Sequence, residues 1–228
     1  MTEACSDYIV TNNYNGSIPN LCNGGPTTVM WTVTDECGAT GSATSQIVVT
    51  PDTQGPTFVN CPADITVNVD IDLCASNVIY STPVATDCNG VASVTRTSGI
   101  VSGGVFPLGA TSIVFTATDN CGNTSTCNFT ITVVDSDKPS ISCPSNTVVV
   151  CTDNNVCTWV SDASVNPLGV DNCPGATISY VITGMTPGSG TNSAMGTVFN
   201  LGTSIVTYTI TAANGQTATC SFNVVVED

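Results

Sequence analysis

The sequence predicts an all-β chain built from tandem antiparallel sandwiches. Three observations lead there. A strand–turn–strand unit recurs three times, no segment shows helical periodicity, and short alternating stretches are broken by turn residues roughly every ten positions.

The clearest copy of the unit runs from Thr111 to Asp135. Ile113, Phe115 and Ala117 alternate with Val114, Thr116 and Thr118 on its first strand. Cys127, Phe129, Ile131 and Val133 alternate with Asn128, Thr130, Thr132 and Val134 on its second. Successive side chains on a strand point to opposite faces, so one apolar face turns inward and a Thr-rich face turns outward. The intervening Asp119-Asn120-Cys121-Gly122-Asn123 supplies residues that accept positive φ and close a hairpin. Leu201 to Cys220 repeats the pattern, with Val206, Tyr208 and Ile210 inward and Asn214-Gly215 in the turn. Trp31 to Gly38 begins a third copy, in which Trp31 stands where Phe115 and Tyr208 stand.

Placing the remaining elements around these hairpins divides the chain into 1–51, 52–135 and 136–228. The first part reads as the back of a domain, with strands at Asp7–Asn12, Thr27–Thr34 and Ser45–Thr50. A linker, Pro51 to Pro56, follows. The second part opens on Pro56 to Pro62. It continues through a strand at Ile65–Val69, the loop Thr82 to Cys88, a strand at Val91–Thr97 and the approach Val105 to Gly109. The third repeats that order with Pro139 to Pro144, Val170 to Cys173 and Val198 to Gly202.

The totals exclude several function classes. Seventeen acids face two basic residues, giving a net charge of −15. Such a chain repels nucleic acid and anionic membrane. No apolar run approaches the roughly 20 residues that span a bilayer. Met1 to Ala4 lacks the basic start and apolar core of an export signal, so such a signal is expected outside this chain. With no His, one Lys and one Arg, general acid–base or Schiff-base catalysis has few candidate members, and no enzyme is expected. The thirteen cysteines lack the CxxC pairs of a zinc site and read as disulfides in an oxidising, extracellular setting. Thirteen is odd, so at least one sulfur is free or bonded elsewhere.

The ordered motifs Cys61-Pro62, Ile65-Thr66-Val67, Pro83-Val84-Ala85-Thr86-Asp87-Cys88, Phe106-Pro107-Leu108-Gly109 and Thr116 to Asn123 resemble the hyalin repeat, or HYR domain. The resemblance covers 52–228; residues 1–51 are similar to a Cys-richer variant whose front strands are missing. Residues 136–228 depart from it at Ala212 and Asn214, where the turn Asp and Cys stood, and by adding Cys151. Tandem repeats of this kind occur in long secreted surface proteins of Bacteroidetes and in animal extracellular proteins. The resemblance implies an immunoglobulin-like fold, an elongated array and an extracellular adhesive or structural role. It also implies that each repeat's opening cysteine bonds its last strand, Cys61–Cys127 and Cys143–Cys220.

For the other cysteines the readings stay partly open. Cys157–Cys173 is the simplest further pair. Cys88 has two candidate partners, Cys74 and Cys121, and the loop ends shared in immunoglobulin-like sandwiches favour Cys121. Cys5–Cys37 is the matching pair in the first part.

Six aspartates, Asp52, Asp87, Asp119, Asp135, Asp137 and Asp171, lie in linkers or in loops expected to face them. Carboxylates so placed could hold Ca²⁺ at the junctions; Asp is equally a turn former. No cofactor is required otherwise. The first part should expose Ile9, Val29, Trp31 and Val33, apolar positions that strands from another copy would cover in a head-to-tail assembly. The expected partners are other copies or adjacent repeats of a longer chain. An alternative has the Thr rows bind carbohydrate or ice, although Thr is also an ordinary strand former. Asn15, Asn123 and Asn128 head N-x-S/T sequons.

Overall fold

The computed structural model describes residues 7–16, 22–145, 147–151 and 158–227. The first part supplies β1 (Tyr8–Asn12), β2 (Gly25–Asp35) and β3 (Thr40–Val49). Then come β4 (Thr57–Phe58), β5 (Ile65–Asn68), β6 (Ala75–Val78), β7 (Ala85–Thr86), β8 (Val91–Ser98), β9 (Gly104–Pro107), β10 (Gly109–Asp119) and β11 (Thr124–Val134). The rest forms β12 (Ser140–Ser142), β13 (Thr147–Cys151), β14 (Thr158–Val160), β15 (Leu168–Val170), β16 (Thr177–Gly184), β17 (Gly188–Thr191), β18 (Val198–Asn200), β19 (Gly202–Thr211) and β20 (Thr217–Glu227). Ala163–Val165 is a single 3₁₀ turn. No helix among the described residues is long and apolar enough to cross a membrane.

The three long hairpins close identically although their turn sequences differ. Gly38, Gly122 and Gly215 have φ of +83°, +87° and +84°, a region that side chains with a Cβ rarely adopt. Each glycine N–H donates to the carbonyl three residues back, on Asp35, Asp119 or Ala212. In the first two turns the Asp Oδ1 accepts two further N–H groups, from Cys37 and Ala39 or from Cys121 and Asn123. Ala212 cannot do this. There Asn214 accepts instead, from Gln216 N at 2.9 Å.

The chain divides into two compact units, one of Met1–Ala63, Tyr80–Gly99 and Ser112–Thr130, the other of Asp64–Ile79, Ile100–Thr111 and Ile131–Asp228. The division runs through the hairpin β10–β11, which forms the centre of a sheet of order β5-β11-β10-β8. In the first unit β8 pairs antiparallel with β10, and β4 with β7. The inward residues Ile113, Phe115, Ala117, Cys127 and Phe129 are all buried, as their alternation requires. The Tyr80 ring meets Phe115 and Phe129 edge-on, at 6.3 and 5.3 Å.

In the second unit β5 runs parallel to the end of β11, and β6 pairs with β9. A five-stranded sheet, β13-β20-β19-β16-β17, carries Val206, Tyr208, Phe222 and Val224 into one core. The ladder β14–β18 covers them with Phe199, and Trp159 packs on it at 5.8 Å. Tyr208 sits at the centre with no exposed surface. Its hydroxyl donates to Val165 O and accepts from Ala194 N, both at 2.9 Å.

The first part forms its own sheet, β1-β2-β3. Its register puts Tyr8, Val10, Val29, Trp31, Val33 and Ile47 on one face. Two sequence expectations need correction here. Val29 is not exposed but 3% accessible. It lies opposite Ser45, and the Trp31 indole reaches diagonally across that pair to donate to Ser45 Oγ at 2.9 Å, covering it. Ile9 is exposed, yet it pairs with Thr34 and so lies on the opposite face from Trp31 and Val33. Trp31 and Val33 remain exposed, at 40% and 39%.

Replacing Tyr208 by Phe keeps the ring and strands the Ala194 N–H and Val165 C=O in a dry core. A loss of about 1–3 kcal/mol is expected, read as a lower urea midpoint with unchanged slope. A midpoint within error of the wild type would show that the hydroxyl is not needed.

Candidate functional site

The chemistry-bearing side chains gather at the linkers and the loops beside them. Cys61–Cys127 and Cys143–Cys220 tie the start of each repeat to its last strand, and both have a Cα separation of 5.7 Å. Two further bridges pass between repeats. Cys22 bonds Cys121, and Cys74 bonds Cys173, each across 99 residues of sequence.

These bridges overturn two expected pairings. Cys173 takes Cys74 rather than Cys157, which lies outside the described residues. Cys121 takes Cys22 rather than Cys88, and Cys88 is a free thiol. The expected neighbourhood of loops is nonetheless present: Asn120 N donates to Gly90 O, and Asn120 Nδ2 to Asn89 O. The residue facing the Cys121 sulfur is Asn89, whose Nδ2 lies 2.6 Å from it. Cys88 points the other way and donates to Asp52 Oδ2 at 3.8 Å. Cys37 is in a disulfide; Cys5 lies outside the described residues.

The acids separate into two roles. Asp119 is 2% accessible and serves the hairpin turn. Burial alone would raise its pKa. The side-chain and backbone N–H of Asn123 and the backbone of Cys121 and Gly122 outweigh that and hold it below the usual carboxylate range. Asp52, Asp87 and Cys88 form a group whose ligand atoms all lie within 4.8 Å of one another. The Asp52 charge, then burial, then the Asp87 charge push the Cys88 thiol up, so it stays protonated and weakly nucleophilic. Asp87 Oδ1 also accepts from Asn89 N at 2.8 Å.

The two linkers are held alike. Asp52 Oδ1 accepts from Gln54 N at 3.1 Å, and Asp135 Oδ1 from Asp137 N at 2.9 Å. Asn123 Nδ2 reaches from the turn to Asp52 O, and Asn214 Nδ2 to Asp135 O and Asp137 O. Gln216 adds a bond to Ser136 O. Asp137 Oδ2 accepts from Asn172, which also donates to Leu73 O. Nothing in their spacing singles out these amide clamps; Asn123 draws notice in the sequence only as a sequon. The structure uses its amide twice, on Asp52 O and Asp119 Oδ2.

The Thr rows, Thr116 and Thr118, Thr130 and Thr132, and Thr207, Thr209 and Thr211, are half-buried rather than open. Thr116 shares a hydroxyl contact with Thr97 at 3.1 Å.

The HYR domain model matches residues 51–133 and 134–226. The chain is similar to hyalin of Strongylocentrotus purpuratus, at 35% identity over 209 residues, or 89% of this chain and 16% of that protein. It is also similar to the Sushi, von Willebrand factor type A, EGF and pentraxin domain-containing protein 1 of Rattus norvegicus, at 31% over 196 residues, or 84% of this chain and 5% of that protein. The chain thus spans a small part of the length of either. Both are animal proteins, and a Bacteroidetes-type origin finds no support. Among solved structures, Protocadherin Gamma B2 extracellular cadherin domains 3-6 match at 12% identity with a TM-score of 0.45, covering 97% of this chain and 68% of that one.

Because the folded Asp119 binds its proton less readily than the unfolded one, its contribution to stability is present above the ordinary carboxylate pKa of about 4. It disappears as pH falls through the lower folded value. Asp119→Ala is therefore expected to lower the urea midpoint at neutral pH, with the gap to wild type closing in acid. A gap independent of pH would contradict this account.

Proposed function

The chain belongs to the HYR domain family, and from that premise we propose that it is a segment of an extracellular structural or adhesive fibre whose repeats are locked to one another covalently. One observation carries this reading, the connectivity of the disulfides. The shortest covalent path from Cys22 to Cys220 crosses the Cys22–Cys121 bridge, follows the chain from 121 to 143, and crosses the Cys143–Cys220 bridge. A pull applied at the two ends therefore loads one short stretch and two sulfur–sulfur bonds. Most of the β-structure lies off that path. Cys74–Cys173 in turn fastens the second repeat to the third. Closing loops of 99 residues also removes about 4–5 kcal/mol of unfolded-state freedom each.

The finer reading concerns the first sheet. In the other two hairpins the last strand carries a parallel neighbour, β5 on β11 and β13 on β20. Within the described residues β3 is a sheet edge, and the apolar face of Tyr8, Val10, Trp31, Val33 and Ile47 lies exposed beside it. An open edge next to uncovered apolar surface favours strand addition. A second copy supplying a parallel strand to β3 gives head-to-tail assembly, because the accepting edge is at one end of the sequence only.

Single-molecule pulling from the termini tests the covalent reading. Between residues 22 and 220 the oxidised chain should extend by about 8 nm, and the reduced chain by about 70 nm, at roughly 3.5 Å per residue. Equal extensions under both conditions would remove its basis. Sedimentation tests the assembly separately: concentration-dependent association is expected, weakened by Trp31→Lys. A stable monomer at micromolar concentration would exclude strand exchange between copies and leave the fibre reading intact.

A further inference from the structure

A cation site in the second linker is independent of the fibre reading and rests on three oxygen atoms. Among the described residues, the buried side-chain polar atoms without a hydrogen-bond partner are Asp135 Oδ2 and both carboxylate oxygens of Asp171, each with under 1 Å² exposed. Buried carboxylate oxygens are ordinarily satisfied, because removing a charge from water without a partner is costly. In this chain all the unsatisfied atoms belong to two aspartates of one linker site.

Their placement is shared with the first linker. Asp52 and Asp135 are each the second residue of their repeat match. Each uses Oδ1 to accept the N–H two residues on and has its carbonyl clamped by an amide from the hairpin turn. Each thereby leaves Oδ2 directed away from the linker backbone. In the first linker that oxygen and those of Asp87 come within 4.8 Å of one another, together with the Cys88 sulfur. Asp171 holds the place of Asp87 in the second, and Asn172 follows it where Cys88 follows Asp87. The second linker therefore offers oxygen where the first offers sulfur.

Two local groups could have neutralised the pair and do not. Lys138, three residues beyond Asp135, is exposed and gives none of the three oxygens a hydrogen bond. The Asn172 amide is committed to Asp137 Oδ2 and Leu73 O. A cavity of about 480 Å³ adjoins, lined by Asp72, Asp137, Lys138, Asp171 and Asn172, with room for ordered water.

We propose that Asp135 and Asp171 hold a calcium-class divalent cation, Asp135 through Oδ2 and Asp171 through its carboxylate pair. An all-oxygen donor set suits a hard cation and disfavours zinc or copper. Water from the cavity completes the six to eight oxygens that Ca²⁺ takes. Two carboxylates make a weak site, with a Kd of about 10⁻⁴–10⁻³ M, the range of extracellular modules.

The test is equilibrium binding of radiolabelled Ca²⁺ to the full 228-residue chain, paired with thermal unfolding in CaCl₂ and in NaCl of equal ionic strength. Saturable binding in the stated range is expected, with a rise in Tm that NaCl does not reproduce. Asp135→Asn and Asp171→Asn are each expected to lose one bound Ca²⁺ and its Tm rise. Without Ca²⁺ they should unfold at or above the wild-type temperature, since each relieves a buried like-charge pair. No saturable binding to the wild type would overturn the proposal, and this holds even if a variant fails to fold. So would unchanged stoichiometry in both variants, or a Tm rise matched by NaCl, which would be screening of the −15 charge.

Discussion

The constraint on which this molecule depends is covalent. Its cores are small, with a handful of aromatics serving two compact units, and its surface charge is almost all of one sign. A small β-domain buries a modest share of its surface and is marginal on burial alone. The bridges Cys61–Cys127 and Cys143–Cys220 pin the opening of each repeat to the strand that ends it. With that closure fixed, the alternation of the long hairpins can seal Phe115, Phe129, Tyr208 and Phe222 from water. The bridges that pass between repeats then extend the same constraint along the sequence.

The linkers add a polar version of this constraint. Amide side chains from hairpin turns, Asn123, Asn214 and Gln216, grip linker carbonyls that would otherwise face solvent. Backbone groups near a turn need partners, and an amide is the neutral donor that a strongly acidic chain can use there without adding charge. The linker aspartates divide their oxygens between this local bonding and the loops beside them. In the first linker the outcome is a thiol kept protonated by two carboxylates. In the second it is a pair of carboxylates stripped of partners.

The first sheet shows what the fold does when a layer is not supplied by the described residues. β2 and β3 make the same hairpin as the others, with the same glycine turn. Lacking an opposing layer, the sheet buries one residue of its apolar face by folding its own Trp31 over Val29. The remainder of that face stays open, which makes it the part of the chain most dependent on what stands beside it.

Much of this was legible in the sequence. The period of two in Thr111–Asp135 and Leu201–Cys220 set which residues turned inward, and the Asp-x-x-Gly and Asn-Gly stretches marked the turns, because both signals are local and steric. The repeat order carried the family and its two closing bridges. The remaining sulfur pairs were not readable. Whether Cys88 or its neighbour Asn89 faces Cys121 depends on a single step of side-chain direction in a loop. Whether Cys173 meets Cys157 or Cys74 depends on which loop folds against it from a different repeat. The same holds for the cover on Val29 and the orphaned oxygens of Asp135 and Asp171. Local pattern determined strands, turns and inward faces; only the packed chain decided which loop ends met, because those contacts join residues far apart in sequence whose approach no local periodicity encodes.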